Sequence, residues 1–103
     1  MKGQEMLVII VERHLGREVV KEARAAGAQG ATVIHGRGTG DIDIEAAFDV
    51  KYEPEKDLVL MVVAEAASQK IAGHLAAVFD FSEPDTGIVF RLPVLQTSGV
   101  YQP

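Results

Sequence analysis

The chain has 103 residues, of which 48% are hydrophobic and 24% are charged. This composition, without low-complexity runs, predicts one ordered globular domain over residues 1–103 and excludes a disordered chain or a second domain. Fifteen acidic and ten basic side chains give a net charge of -5, which disfavours binding to nucleic acid or to an anionic membrane surface.

The first half of the chain predicts a strand, a helix and a second strand. Leu7–Val11 is a β-branched run that is apolar at both parities, as expected for a strand buried on both faces. Apolar residues from Leu15 to Ala26 recur at helical spacing, and Gly27 follows as a C-terminal cap, which predicts a helix over Gly16–Ala26. Gly30–His35 is a short second strand, and the glycines from Gly36 to Gly40 predict that a flexible loop starts there.

The second half predicts a strand, a helix and a last strand. Asp57–Ala64 is the third strand, and apolar residues at helical spacing indicate a helix from Ala66 to Phe79 or Asp80. Ser82–Gly87 has turn chemistry. Ile88–Leu95 is the fourth strand, which Pro93 limits to a sheet edge or to an early end.

The order β-α-β-β-α-β predicts an α+β fold, a ferredoxin-like sandwich with a four-stranded antiparallel sheet and both helices on one face. In this topology the first and third strands are central, and they are the two strands that are apolar at both parities. The sheet face without helices is therefore apolar, which predicts burial against another subunit and hence a homo-oligomer.

The sequence also gives an expected location. The longest apolar run, Leu58 to Ala64, is too short to span a membrane, so we expect no direct membrane insertion. The first residues lack the pattern of a signal peptide, which favours the cytoplasm. Cysteine is absent, which excludes disulfides and thiolate metal sites.

The candidate binding residues fall at one predicted edge of the sheet. The ends of strands one and two and the starts of strands three and four meet there, together with two glycine-bearing turns, Gly36–Gly40 and Pro84–Gly87. Backbone N–H groups in such turns bind phosphate or carboxylate, and Arg37 would add positive charge. The alternative is that the glycines only turn the chain, since a P-loop ending in Gly-Lys-Ser/Thr is absent.

The three histidines are isolated in the sequence. His74 lies near the apolar stripe of the second helix and is expected to be structural. His14 and His35 lie near the candidate edge, where they are either surface residues or ligands for an anion or a metal ion. No nucleophile has an activating base beside it, so we expect no catalytic residues and no enzyme activity.

Several segments together resemble the PII signalling proteins, and more specifically the divergent PII-like branch of the family. These are Gly30-Ala31-Thr32-Val33, the His35–Gly40 segment His-Gly-Arg-Gly-Thr-Gly, and the Pro84–Ile88 segment Pro-Asp-Thr-Gly-Ile. The likeness extends from about Met6 to Val94, which is nearly the whole chain.

The resemblance implies a regulatory homotrimer that binds adenine nucleotides in clefts between subunits. The loop between strands two and three, about residues 36–50, would contact a partner such as a membrane transporter or a regulated enzyme. One subunit would contribute Thr32, His35, Gly36, Arg37, Gly38, Thr39 and Gly40 to the nucleotide or anion site. The neighbouring subunit would contribute Asp85, Thr86 and Gly87.

The chain departs from the typical family pattern at phosphate-binding positions. Ile88 stands where a lysine usually follows the glycine, and Leu95–Tyr101 lacks the paired arginines. Each lost charge-assisted contact costs about 1.5–3 kcal/mol, so ADP, AMP or another anion is favoured over ATP as the effector, and no cofactor is obligatory. The family's glutamine for 2-oxoglutarate and magnesium is missing near Gly40, so sensing of 2-oxoglutarate is not expected. The alternative is a CutA-like or structural trimer, with at most histidine-based metal binding.

Overall fold

The computed structural model describes residues 3–38, 54–84 and 86–99. The strands and helices are β1 (Gln4–Glu12), α1 (Gly16–Ala25), β2 (Thr32–Arg37), β3 (Glu55–Ala64), α2 (Glu65–Val78) and β4 (Gly87–Val94). All strand pairs are antiparallel, and the strands lie in the order β2-β3-β1-β4. The predicted element order, ferredoxin-like topology and central strands are confirmed.

The second strand ends later than predicted. Gly36 and Arg37 were expected to begin a loop, but they continue β2 and pair with Lys56 and Glu55. The reason is that β3 begins at Glu55 rather than at Asp57, so its backbone offers hydrogen-bonding partners to two more residues of β2. Pairing between strands therefore overrides the local preference of glycine for irregular structure.

The hydrophobic core lies between the sheet and the two helices. Side chains alternate between the two faces of a strand, and the helix-facing set on β1 and β3 is almost fully buried. Against it pack one apolar stripe of α1 and one of α2. The core residues exposed by 2% or less are Leu7, Ile9, Val11, Val19, Ala23, Val59, Met61, Ile71 and Leu75.

The opposite face of the sheet is also apolar but lies open. Val8 of β1 pairs with Leu60 on one side and with Phe90 on the other, and the same parity continues along each strand. This open face carries Met6, Val8, Ile10, Ile34, Leu58, Leu60, Val62, Ile88, Phe90 and Leu92. Several of these side chains are substantially exposed, including Ile88 at 51% and Leu92 at 41%. Exposed apolar area of this extent is typical of a surface that another molecule covers.

Candidate functional site

One edge of the sheet gathers most of the predicted site residues. Its position follows from the register, in which Glu12 pairs with Lys56, Arg37 with Glu55, and Val11 with Gly87. The ends of β1 and β2 therefore meet the starts of β3 and β4, as predicted. Basic side chains collect at this edge and at the adjoining start of α1, namely Arg13, His14, Arg17, His35, Arg37 and Lys56. We call these six residues the basic edge, although Glu12, Glu55 and Asp57 also lie there.

The two chain segments that flank residues 39–53 are fixed to each other. Gly38 donates its backbone N–H to the Pro54 carbonyl oxygen over 3.1 Å. Next to this bond, the Arg13 backbone N–H donates to the Glu55 carbonyl oxygen over 3.3 Å, and the two side chains form an ion pair. The hydrogen bond from Arg13 lowers the pKa of Glu55. Arg37 therefore lies directly beside a hydrogen-bonded clamp formed by Gly38 and Pro54.

Asp57 is the most constrained polar residue of this edge. It is only 2% exposed, and its Oδ2 accepts backbone hydrogen bonds from His14 at 2.9 Å and from Gly16 at 3.0 Å. Its Oδ1 lies 2.7 Å from His35 Nδ1. Burial is the largest influence and raises the pKa of Asp57, but the three hydrogen bonds together outweigh it and hold the pKa below its usual value. Asp57 is thus an ionised, buried anchor that ties β3 to the start of α1 and to β2.

Local backbone geometry supports this anchor. His14 has a left-handed conformation with φ of 81°, which turns the chain from β1 into α1. A Cβ atom on Gly16 would lie 2.8 Å from Asp57 Oδ2, so glycine allows the carboxylate to approach the helix. From the sequence, Asp57 was predicted only as the first residue of the third strand. Its parity with Val59 and Met61, which face the core, was the signal that could have identified it.

Strand β2 divides the predicted site residues between the two faces of the sheet. His35 pairs with Asp57 and lies on the helix-covered side, whereas Gly36 pairs with Lys56 on the open side. Thr32 pairs with Leu60 at the other end of β2. A strand rises by about 3.3 Å per residue, so Thr32 lies roughly 16 Å along the strand from Arg37. Within one chain, Thr32, His35 and Arg37 do not form one pocket.

Two cavities flank β2. The first, of about 620 Å³, lies between α1 and β2 and is lined by His14, Arg17, Val20, Val33, His35 and Asp57. The second, of about 510 Å³, lies at the Thr32 end of the strand. It is lined by Met6, Gln29, Gly30, Ala31, Thr32, Leu60, Met61, Val62 and Gly99. Each cavity thus contains one of the predicted site residues, His35 in the first and Thr32 in the second.

The turn before β4 explains Thr86 and Gly87 structurally. The Thr86 hydroxyl donates to the Asp80 carbonyl oxygen over 2.8 Å, so its hydrogen is engaged within the turn. Gly87 has φ of 151°, and a Cβ atom there would lie 2.5 Å from the Phe81 ring and 2.9 Å from the Ile10 carbonyl oxygen. Since β3 and β1 lie between β2 and β4, Gly87 is roughly 14 Å across the sheet from β2. Within one chain, Thr86 and Gly87 therefore do not lie in the same site as Arg37.

The other candidate residues have the following positions. Thr39, Gly40 and Asp85, with most of the predicted loop, lie outside the described residues. His74 Nε2 lies 3.0 Å from Glu22 Oε1 and links α2 to α1, which agrees with a structural role. Residues 3–38, 54–84 and 86–99 contain no cluster of three or more histidine, aspartate or glutamate side chains arranged to hold a metal ion. Neither α1 nor α2 has the length and apolar sequence of a membrane-crossing helix.

Comparison with known proteins identifies the family. The solved structures that share the fold include Arabidopsis thaliana PII bound to citrate, the B. subtilis GlnK–ATP complex, and CPII of Thiomonas intermedia K12 bound to ADP, AMP and acetate. The first has a TM-score of 0.69 and 22% identity, and the match covers 90% of this chain and 78% of that one. The second has a TM-score of 0.65 and 15% identity, with 91% and 84% covered. The third has a TM-score of 0.68 and 17% identity, with 90% and 87% covered.

Sequence comparison extends this result beyond the fold. No curated protein is significantly similar to the chain. The model of the family described as nitrogen regulatory protein P-II, however, matches residues 4–102, which is nearly the whole sequence. The resemblance inferred from the residues is thereby confirmed, and the chain belongs to the nitrogen regulatory protein P-II family.

Proposed function

We propose that this protein is a non-enzymatic regulatory homotrimer of the cytoplasm. It binds a small anionic effector, an adenine nucleotide, in clefts between its subunits. Binding changes how the segment between β2 and β3 contacts a partner protein, which is a membrane transporter or a regulated enzyme. The family assignment supports the signalling role, and the geometry of the chain supports the assembly and the place of the effector.

The observation that carries this proposal is the division of the site residues within one chain. Thr86 and Gly87 lie at the start of β4, across two intervening strands from β2. Arg37 and Gly38 lie at the opposite side of the sheet, beside the basic edge. A ligand that uses both groups needs a second copy of the chain to bring them together. The open apolar face provides the surface through which such copies associate.

The Thr32 cavity fits into the same arrangement. It is largely apolar, with Met6, Leu60 and Val62 in its lining, which suits the flat apolar surface of a base. Thr32 lies roughly 16 Å from Arg37 along β2, so the base would lie towards Thr32 and the phosphates towards Arg37 of the same subunit, with Thr86 and Gly87 supplied by the neighbouring subunit. Arg37 then contacts the phosphates, for which guanidinium is well suited.

An anionic effector also agrees with the charge of the site. The three structural neighbours contain citrate, ATP, or ADP, AMP and acetate, and all of these ligands are anions. In this chain Arg37 and Lys56 lie at the edge that would receive them. The absent lysine after Gly87 leaves fewer phosphate contacts, so we expect ADP or AMP to bind more tightly than ATP.

The first experiment is a thermal-shift series with ATP, ADP, AMP, cyclic AMP and bicarbonate on the purified oligomer. At a ligand concentration 100-fold above Kd, binding to the folded state adds about 2.7 kcal/mol, which raises the Tm by several degrees. We expect the rise to disappear in Arg37→Ala and to persist in Arg24→Ala, a matched charge loss at the far end of α1. No shift with any ligand, or equal loss in both variants, would contradict nucleotide binding at Arg37.

Two further measurements separate the assembly from the signalling step. Light scattering should give three times the chain mass of 11.1 kDa, and a monomer would overturn the intersubunit site. Amide hydrogen exchange should slow in residues 39–53 at saturating nucleotide, because a ligand shifts a segment only if its affinity differs between the states of that segment. Unchanged exchange there would remove the proposed link to a partner.

A structural trimer with a histidine metal site is the second candidate. The observation that favours it is the hydrogen bond between His35 Nδ1 and Asp57, which leaves Nε2 as the free ring nitrogen, the arrangement common in metal-binding histidines. Equilibrium dialysis with zinc or copper tests this reading. Stoichiometric uptake that depends on His35 and His14, together with no nucleotide response, would favour it.

A further inference from the structure

We propose that the cavity between α1 and β2 is a second ligand site, which takes a small carboxylate with a short apolar tail. The cavity has a volume of about 620 Å³, within the usual range for small-molecule pockets. Its lining comes from four parts of the chain: His14 before α1, Arg17 and Val20 on α1, Val33 and His35 on β2, and Asp57 on β3. This site is additional to the nucleotide cleft proposed above.

The polar part of the lining is arranged for an anion. Arg17 brings a permanent positive charge, and His14 and His35 bring ring nitrogens from two other elements. Arg17 has no ion-pair partner within residues 3–38, 54–84 and 86–99, so its guanidinium is available to a ligand. A guanidinium forms two parallel hydrogen bonds with a carboxylate, which makes Arg17 the main anchor.

The single acid in the lining does not oppose an anion. Asp57 directs its oxygens at three donors, the backbone N–H groups of His14 and Gly16 and the His35 ring. Its side chain is only 3% exposed, so its charge is already balanced inside the protein. The same bonds occupy N–H groups at the start of α1, so the proposed site depends on side chains rather than on the helix end.

The remaining wall of the cavity is apolar. Val20 is half-buried. Val33 is 38% exposed, although it lies on the helix-covered face of the sheet. Covering such a surface is favourable by about 25 cal/mol per Å². Inorganic phosphate or bicarbonate would leave the apolar wall exposed to water, whereas a carboxylate with a few methylene groups would cover it. The combination of one guanidinium, two imidazoles and two valines therefore selects a short apolar carboxylate.

The parity of β2 separates this cavity from part of the nucleotide cleft. Val33 and His35 lie on the helix-covered face, as Arg37 does, whereas Thr32 and Gly36 lie on the open face that would meet a neighbouring subunit. The cavity nevertheless adjoins the clamp between Gly38 and Pro54, because His35 precedes Gly38 by three residues and Asp57 follows Pro54 by three. A ligand held by His35 thus lies beside the segment that the nucleotide is proposed to control.

The test is an NMR titration of the uniformly ¹⁵N-labelled protein with sodium butyrate as the probe, at constant ionic strength and pH. We expect saturable shifts of the His14, Arg17 and His35 amides. Arg17→Gln should weaken binding by at least about tenfold, since it removes a charge-assisted contact. Arg24→Gln, an equal charge change in the last turn of the same helix, should leave the affinity unchanged.

Several results would overturn the proposal. Shifts that grow linearly without saturation, or an equal loss in Arg24→Gln, would mean non-specific attraction to the basic edge. Shifts confined to Gly36, Arg37 and Thr86 would place butyrate in the nucleotide cleft. Inorganic phosphate binding as tightly as butyrate would refute the apolar selection, and tight Zn²⁺ binding unaffected by Arg17→Gln, without butyrate binding, would make the cavity a metal site.

A parallel ADP titration keeps the two proposals distinguishable. In the absence of butyrate, Arg17→Gln should respond to ADP as the wild type does, because Arg17 is not among the residues proposed to contact the nucleotide. If the wild-type protein responds to ADP but not to butyrate, the second site alone is contradicted. If the wild-type protein does not respond to ADP, the nucleotide cleft is contradicted instead.

Discussion

Removing the Asp57 carboxylate should destabilise the protein more than any exposed charge change at the same edge. Asp57→Ala takes away the acceptor for the His14 and Gly16 backbone N–H groups, and the bond from Gly16 is buried. Hydrogen bonds to a charged acceptor contribute about 1.5–3 kcal/mol each. The His35 side chain is 74% exposed, so its ion pair adds about 1 kcal/mol at most. The expected loss is therefore about 3–7 kcal/mol, a large part of a total stability of about 5–15 kcal/mol.

The assay is urea unfolding followed by circular dichroism, with the protein concentration held constant because an oligomer gains stability with concentration. The Asp57→Ala midpoint should fall by at least about 1 M urea at pH 7. His35→Gln is the control, since it removes only the exposed partner and should cost about 1 kcal/mol or less. An Asp57→Ala variant as stable as His35→Gln would refute the role of Asp57 as the anchor.

The same anchor predicts a pH dependence. Hydrogen bonds hold the folded-state pKa of Asp57 below the ordinary value of 3.8, so its stabilising contribution is fully present above that value. It is lost as the pH falls through the lower folded-state pKa. The stability difference between wild type and Asp57→Asn should thus be constant from pH 7 to about 5 and narrow below about pH 4. A difference that stays constant down to pH 2.5 would show that the carboxylate charge contributes nothing.

Three further substitutions test other contacts. Gly87→Ala should destabilise by about 2 kcal/mol or more, measured by urea unfolding, because the methyl group would meet the Phe81 ring and a backbone oxygen at a positive φ. Gly73→Ala, where nothing lies within 4 Å of the added methyl group, should instead stabilise α2 by about 0.5–1 kcal/mol in the same assay; a loss of stability would contradict the open surroundings of that position. Arg91→Ala should raise the pKa of Glu5 towards 4.5, because a hydrogen bond from Arg91 is the main cause of its lowering; an unchanged carboxyl titration by NMR would contradict that pair.

The element order and the core were predictable because both depend on side-chain periodicity. Strands one and three are apolar at both parities, and the structure places them at the centre of the sheet with one parity against the helices. The helical stripe that contains Ile71 and Leu75 faces that core. These patterns are local in the sequence, so they can be recognised without knowledge of the tertiary structure.

The features that were missed depend on partners distant in sequence. The two extra residues of β2 are fixed by the start of β3 at Glu55, which no local pattern near Gly36 reveals. Asp57 gains its partners from residues more than 40 positions away in the case of His14 and Gly16. A charged residue at the start of a strand is usually solvated, so only its parity with Val59 indicated burial.

The glycine-bearing turn before β4 shows where a motif has two explanations. Thr86 and Gly87 were predicted as ligand residues because two glycine-bearing turns meet at one edge of the sheet and because the Pro84–Ile88 segment resembles the family pattern. The structure shows that the turn itself needs both residues, since Thr86 donates to Asp80 and Gly87 packs against Phe81 without a Cβ atom. A contact with nucleotide through backbone N–H groups is compatible with this role. The sequence pattern therefore has a structural explanation in the turn that does not require a nucleotide.

One short strand carries residues of both proposed ligand sites, with Thr32 and Gly36 on the open face and His35 and Arg37 on the helix-covered face. His35 and Gly36 are consecutive, yet one side chain position lies over Asp57 and the other faces the open side of the sheet. A ligand on either face contacts the same stretch of β2, which leads directly to the Gly38–Pro54 hydrogen bond. Since the two faces belong to one backbone, a change in β2 that favours one ligand alters the position offered to the other, and any such coupling must be reciprocal.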